Sequence, residues 1–163
     1  MRAVIGLGAN LGQPHVQLDA AVASIGRLEG VRVLAQAPRI ETSPVGGPTQ
    51  PNYVNGALLI DAPSSMSPVA LVEALLAIEA AVGRVRSVRN AARPVDLDLL
   101  WTDGPPSLDP RAQVPHPRLA TRAFALVPLL ALVPDARDPD GVRYADHLAR
   151  CSRDELLGEA LRR

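Results

Sequence analysis

The apolar positions of the chain recur first with the period of a strand and then with that of a helix, and this exchange repeats along its length. The run Ala3 to Gly8 is apolar and bounded by glycine, as a buried first strand would be. After a loop from Ala9 to Pro14, Leu18, Val22, Ile25 and Leu28 return at helical spacing, which predicts a helix ending near Gly30. A second strand starts at Val31, alternates through Ala35 and extends toward Ile40. The stretch Glu41 to Pro51, dense in Pro, Gly and Thr, reads as a loop. Tyr53 to Ile60 then alternates strictly, with Tyr53, Asn55, Ala57 and Leu59 on one face and Val54, Gly56, Leu58 and Ile60 on the other.

A second helix opens with Ser67 as N-cap and Pro68 at its first position, carries the stripe Leu71, Leu75, Ile78 and Val82, and stops at Gly83. Arg84 to Pro94 has no apolar period and reads as a loop. The strand Val95 to Trp101 follows, with Val95, Leu97, Leu99 and Trp101 on one face and Asp96, Asp98 and Leu100 on the other. Beyond it come a Pro-rich turn, a short segment Val114 to His116, and a helical region Arg122 to Leu132 in which Pro128 must start or kink a helix. Asp135 to Arg163 holds a turn at Asp138 to Gly141 and a weak terminal helix. The order strand, helix, strand, strand, helix, strand is the split βαβ arrangement. The expectation is an α+β, ferredoxin-like single domain over residues 1–163, with helices packed on a mainly antiparallel sheet.

Composition narrows the chemistry. The 17 basic residues balance 17 acidic ones, so the chain lacks the cationic excess that nucleic-acid binding by bulk electrostatics requires. All the basic residues are arginine, which excludes a P-loop lysine, a Schiff-base lysine or a lysine general base. The sole cysteine, Cys151, cannot form an internal disulfide, and no signal-like start or long apolar run is present. A soluble cytoplasmic protein without a membrane partner is expected.

Asp96 and Asp98 are the sharpest candidates. Two residues apart on a strand, they project from one face while Leu97 anchors the other, and a carboxylate pair of this kind can hold Mg²⁺ at a phosphoryl-transfer site. Two solvated aspartates on an exposed sheet face would look the same. Arg84, Arg86, Arg89 and Arg93 precede them and Arg111, Arg118 and Arg122 follow, so seven arginines surround the pair. Guanidinium groups grip phosphate oxygens at two points, although a solvated basic loop or ion pairs to the aspartates would use the same residues.

His116, between Pro115 and Pro117, can donate to a phosphate or orient a loop. Glu79 borders the apolar stripe of the second helix, facing either the sheet or solvent. Tyr53 and Asn55 put a ring and an amide on one strand face, which suits a flat heterocycle with donors and acceptors on its edge, but strand tyrosines more often pack. His147 and Cys151 are four apart with no second pair for zinc. The glycine-rich start Gly6-Leu7-Gly8-Ala9-Asn10-Leu11 ends in leucine where a dinucleotide fingerprint needs glycine, and no acid follows the second strand to bind a ribose.

Together these residues resemble the 6-hydroxymethyl-7,8-dihydropterin pyrophosphokinase family, whose signature matches Arg89-Asn90-Ala91-Ala92-Arg93-Pro94-Val95-Asp96-Leu97-Asp98-Leu99-Leu100 along its length. The likeness extends to Gly8–Gly12, Thr42–Gly46, Gln50–Asn55, Ile78-Glu79, Gly83–Arg86, and Val114–Pro117 with Arg122 and Phe124. It implies a magnesium-dependent transfer of pyrophosphate from ATP to a pterin alcohol in folate biosynthesis. By the same resemblance, Asp96 and Asp98 would hold two Mg²⁺ ions. Arg84 and Arg93 would act with them in catalysis, and Glu79, Arg84, Arg86, Arg93, Arg111, His116 and Arg122 would bind ATP. Thr42, Pro44, Val45, Tyr53, Asn55 and Phe124 would bind the pterin, with Tyr53 and Phe124 on its two faces. Asn90, Pro117 and Leu76 depart from residues common in the family, as does a loop between Arg86 and Arg93 one residue shorter than usual.

A monomer that acts on ATP and a pterin, with no nucleic-acid partner, is the expectation. An RNA-recognition sheet would need stacking aromatics on adjacent strands, and only Tyr53 is so placed. Another Mg²⁺-dependent phosphotransferase or a nuclease would leave Tyr53, Asn55 and Phe124 without a purpose.

Overall fold

The computed structural model describes residues 1–44, 49–82, 94–152, 154 and 156–157. The elements run β1 (Arg2–Ala9), α1 (Pro14–Ile25), β2 (Arg32–Gln36), β3 (Ile40–Thr42), β4 (Tyr53–Asp61), α2 (Pro68–Ala81), β5 (Asp96–Thr102), α3 (Ala123–Leu132) and α4 (Tyr144–Leu148). The strands form one sheet in the order β2-β4-β1-β5, with β3 also paired to β4, and every pairing is antiparallel.

Each face of the sheet has its own core. On one, Ala3, Ile5, Leu7, Leu58, Ile60, Leu97 and Leu99 meet Leu18, Ala21 and Ile25 of α1 and Leu71, Leu75 and Ile78 of α2. On the other, Val4, Ala57, Leu59 and Leu100 meet Leu126 and Leu129 of α3 and Tyr144 and Leu148 of α4. The alternation of small and branched side chains along β1 and β4 feeds both cores at once, which explains how a chain with so few aromatics buries both faces.

Most expected elements stand where periodicity places them, and the differences have local causes. The single strand expected from Val31 toward Ile40 is two strands. Pro38 lies between them and has no N–H for the ladder, so β2 and β3 pair with β4 separately. The first helix ends at Ile25, short of Gly30, where the chain turns at φ 71°. Ser67 caps α2 as expected, its hydroxyl accepting from the Ala70 amide at 3.2 Å.

Pro128 lies inside α3 instead of opening it, among buried residues. Having no N–H, it supplies no helical partner to the carbonyl of Phe124 four residues earlier. The alternation of β5 puts Trp101 on the face of Leu97 and Leu99, but it packs with the α3 cluster. Val4 pairs with Trp101 and Ile5 with Leu99, so Leu100 is an extra residue, and the bulge turns Trp101 to the side of Leu100. The turn at Asp138 forms, with the Asp138 carboxylate accepting from the amides of Asp140 and Val142. After it the chain is helical only over the short α4, and Leu156 bridges Thr42 in the antiparallel sense.

Among the described residues, no helix is long and apolar enough to cross a membrane.

Candidate active site

The α3 core covers only part of its sheet face. Two rows of residues running across the strands next to it carry polar groups and glycine. One is Ile40–Asn55–Gly8–Asp96 and the other is Ala57–Gly6–Asp98, so β1 contributes a glycine to each row and β5 an aspartate. Glycine is what keeps this floor low. A Cβ on Gly8 would stand 3.2 Å from the Asn55 Oδ1 and 3.8 Å from the Asp96 Cβ, and one on Gly6 would meet Leu100 at 3.0 Å.

Over this floor lies a cleft open to solvent, walled by His116, Leu119, Arg122, Phe124 and Ala125. Asn55, Asp96, Asp98, His116, Arg122 and Phe124, spread over some seventy residues of chain, thus line one space. The Arg122 guanidinium carbon stands 5.5 Å from the centre of the Phe124 ring, a cation–π contact that fixes a cationic group at the rim.

His116 is tied down at two points. Its amide donates to the Leu100 carbonyl at 2.9 Å, and its Nδ1 accepts from the Arg118 amide at 3.2 Å. That second bond selects the neutral tautomer with its proton on Nε2. Burial holds the imidazole below its usual pKa, reinforced by Arg122 and Arg118 and opposed by Asp98 and Asp96. The ring therefore stays neutral at pH 7 and keeps one N–H to donate.

Asn55 is oriented from the neighbouring strand β3. Its Nδ2 donates to the Thr42 hydroxyl at 2.7 Å in a buried bond, which leaves Oδ1 on the Gly8 side. Tyr53, one pleat along the same face, is half-buried and donates its hydroxyl to Gln50 Oε1 at 3.0 Å. The same oxygen accepts from Asn10 Nδ2 at 2.9 Å, and Asn10 also donates to the Pro51 carbonyl. Asn10 is a buried polar residue that fastens the loop before β4 to the end of β1, a part that the family likeness over Gly8–Gly12 does not by itself reveal.

Glu79 faces the sheet. It is buried on α2, and its Oε1 accepts from the Leu97 amide at 2.7 Å, on the edge strand between the two aspartates. Arg111 is exposed, ion-paired to Asp109 at 2.9 Å and near Glu73 at 3.9 Å, and does not line the cleft. Neither do Pro44 and Tyr53. Arg84, Arg86, Arg93 and Val45 lie outside the described residues, as do Arg89 and Asn90.

The site joins two adjacent carboxylates, a fixed guanidinium, a neutral imidazole and an amide beside a ring, a set suited to a polyanion at one end and a flat polar heterocycle at the other. Comparison with known proteins agrees with that class. The family model described as 7,8-dihydro-6-hydroxymethylpterin-pyrophosphokinase matches residues 4–134, and the chain belongs to this family. It is 42% identical over 151 residues to the 2-amino-4-hydroxy-6-hydroxymethyldihydropteridine pyrophosphokinase of Pseudomonas aeruginosa, covering 92% of this chain and 91% of that one. It is 40% identical over 134 residues to the protein of the same name from Methylorubrum extorquens, covering 82% and 84%. It is 34% identical over 137 residues to the folic acid synthesis protein fol1 of Schizosaccharomyces pombe, covering 84% of this chain and 18% of that protein.

Proposed function

We propose that this protein transfers the pyrophosphoryl group of ATP to the hydroxymethyl oxygen of 6-hydroxymethyl-7,8-dihydropterin, giving the pterin diphosphate and AMP, as a step of folate biosynthesis. The observation that carries the reading is the convergence of Asp96, Asp98, His116, Arg122, Asn55 and Phe124 on one cleft, in a chain of this family.

The residues present fit Mg²⁺. Asp96 and Asp98 offer hard oxygen donors side by side, and no cluster of three or more metal-ligating side chains occurs among the described residues. A two-carboxylate set leaves the remaining positions to water and phosphate, the usual manner of holding this ion with a nucleotide. Two such ions, held by Asp96 and Asp98, would offset the charge that builds on the phosphate oxygens.

The protein's own groups do the rest by positioning. Arg122 and the Nε2 proton of His116 donate to phosphate oxygens, with Arg84, Arg86 and Arg93 completing the nucleotide site in this reading; Arg111, paired with Asp109 outside the cleft, and Glu79, bound to the Leu97 amide on the α2 side, have no part in it. Phe124 and Tyr53 enclose the pterin, while Asn55 and the chain at Thr42, Pro44 and Val45 read its edge. The hydroxymethyl oxygen then displaces AMP in line at the β-phosphorus, and no covalent intermediate on the protein is required. The sheet order β2-β4-β1-β5, with α1 and α2 as the two crossovers on one face, supports a ferredoxin-like arrangement, and residues 1–163 act as one such domain and as a monomer.

The test is to incubate the purified protein with ATP, Mg²⁺ and the hydroxymethyl-dihydropterin and to follow the nucleotide product. AMP formed in step with the pterin diphosphate is expected. Release of ADP, or no pterin-dependent turnover, overturns the assignment.

A further inference from the structure

β3 is only three residues long and follows directly on a proline-containing break, yet it carries Thr42, the hydroxyl that orients Asn55. On one side it pairs with β4, Thr42 opposite Tyr53 and Ile40 opposite Asn55. So short a strand at a sheet edge would fray, because few ladder bonds hold it against the entropy of the flanking loops. Its other side is not bare. The chain returns after α4 so that Leu156 forms an antiparallel bridge with Thr42, and the Leu157 amide donates to the Glu41 carbonyl at 3.1 Å. The Leu156 side chain is 1% exposed and lies in the core shared with α3 and α4.

Thr42 is therefore held from two sides, and its hydroxyl meets Asn55 in a buried bond of 2.7 Å. A hydroxyl can accept from an amide N–H or donate to an amide oxygen, so this bond fixes where the Asn55 carboxamide sits, with Oδ1 on the Gly8 side at the cleft floor. We infer that Leu156 and Leu157 are positioning residues for the heterocycle. They clasp Thr42 so that its hydroxyl holds the Asn55 carboxamide in place at the cleft floor, facing the polar edge of the heterocycle. This inference rests on the reading of Asn55 as a pterin contact. It adds a part for a segment more than a hundred residues distant in sequence that does not itself line the cleft.

The experiment measures binding by titration calorimetry on the full chain, with the hydroxymethyl-dihydropterin added in the presence of Mg²⁺ and a non-hydrolysable ATP analogue, and the analogue with Mg²⁺ titrated separately. Leu156→Ala removes the buried anchor, whereas Leu157→Pro removes the amide donor and leaves Leu156 in place. Each is expected to weaken pterin binding about tenfold, the effect of losing one well-placed hydrogen bond, and to leave binding of the ATP analogue within about twofold. Leu156→Met keeps the buried volume and retains the wild-type affinity. In a Thr42→Val background, where the hydroxyl is already gone, neither substitution weakens pterin binding further.

A variant that loses thermal stability but binds the pterin as wild type does, or that weakens both ligands alike, or that adds fully to Thr42→Val, overturns the clasp and leaves the assigned function intact. A wild-type protein that binds the ATP analogue but not the pterin overturns the pterin reading, and the clasp with it.

Discussion

A methyl group at position 8 would crowd the Asn55 carboxamide oxygen at 3.2 Å, so the absence of a side chain on Gly8 is part of the site. Gly8 does not adopt a positive φ, so an alanine fits its backbone, and Gly8→Ala is expected to leave the melting temperature near that of the parent while moving Asn55 and weakening pterin binding, on the order of tenfold, in a calorimetric titration. Unchanged affinity would show that Asn55 has room to yield. Asp98 tests the other half of the floor. Asp98→Ala removes one of two oxygen donors from a half-buried position without touching either core. Turnover is expected to fall by at least about a hundredfold while the far-UV circular dichroism spectrum is kept.

His116 carries a pH prediction. Its folded pKa lies below the usual 6.5, with burial the largest cause, so the unfolded chain binds that proton more readily than the folded one. Stability from this group is whole above the unfolded value of about 6.5 and is lost as the pH falls from there toward the folded pKa. An imidazole titration followed by NMR should place His116 below 6.5, and His116→Gln should flatten that part of the stability profile.

Among the elements, β5 determines where the aspartates stand. β1 holds one side of it, and on the other Glu79 reaches from α2 to the Leu97 amide at 2.7 Å. Glu79→Ala leaves that buried N–H without this acceptor, which should lower the folding free energy by about 1–3 kcal/mol in urea denaturation; Glu79→Gln, keeping an acceptor oxygen, should lower it less. The period of β5 already separates Asp96 and Asp98 from Leu97, because successive side chains alternate whatever the strand pairs with. The same period misplaces Trp101, since a bulge depends on the partner strand's register. Pro38 divides a stretch whose alternation reads as one strand, and both parts pair with β4.

Over the whole molecule, the two cores divide the work. The face toward α1 and α2 is closed by aliphatic side chains, while the face toward α3 is closed only beyond Leu100, and the uncovered remainder is the cleft. Leu126 is fully buried at the centre of the second core. Leu126→Ala is expected to cost about 2–5 kcal/mol of folding free energy, checked by urea denaturation.

Sequence alone determined the places of β1, α1, β4, α2 and β5, the shared face of Asp96 and Asp98, the shared face of Tyr53 and Asn55, and the concentration of arginine around the aspartates. Each follows from a local period or count, which neighbouring residues suffice to define. Only the tertiary structure decided that Phe124 and Arg122 wall the space above Asp98, that Arg111 stands apart from it, that Glu79 turns to the Leu97 amide, and that Leu156 meets Thr42. Those juxtapositions depend on register, a bulge and the packing of α3 and α4 over the sheet, and contacts between residues so distant in sequence leave no period to read.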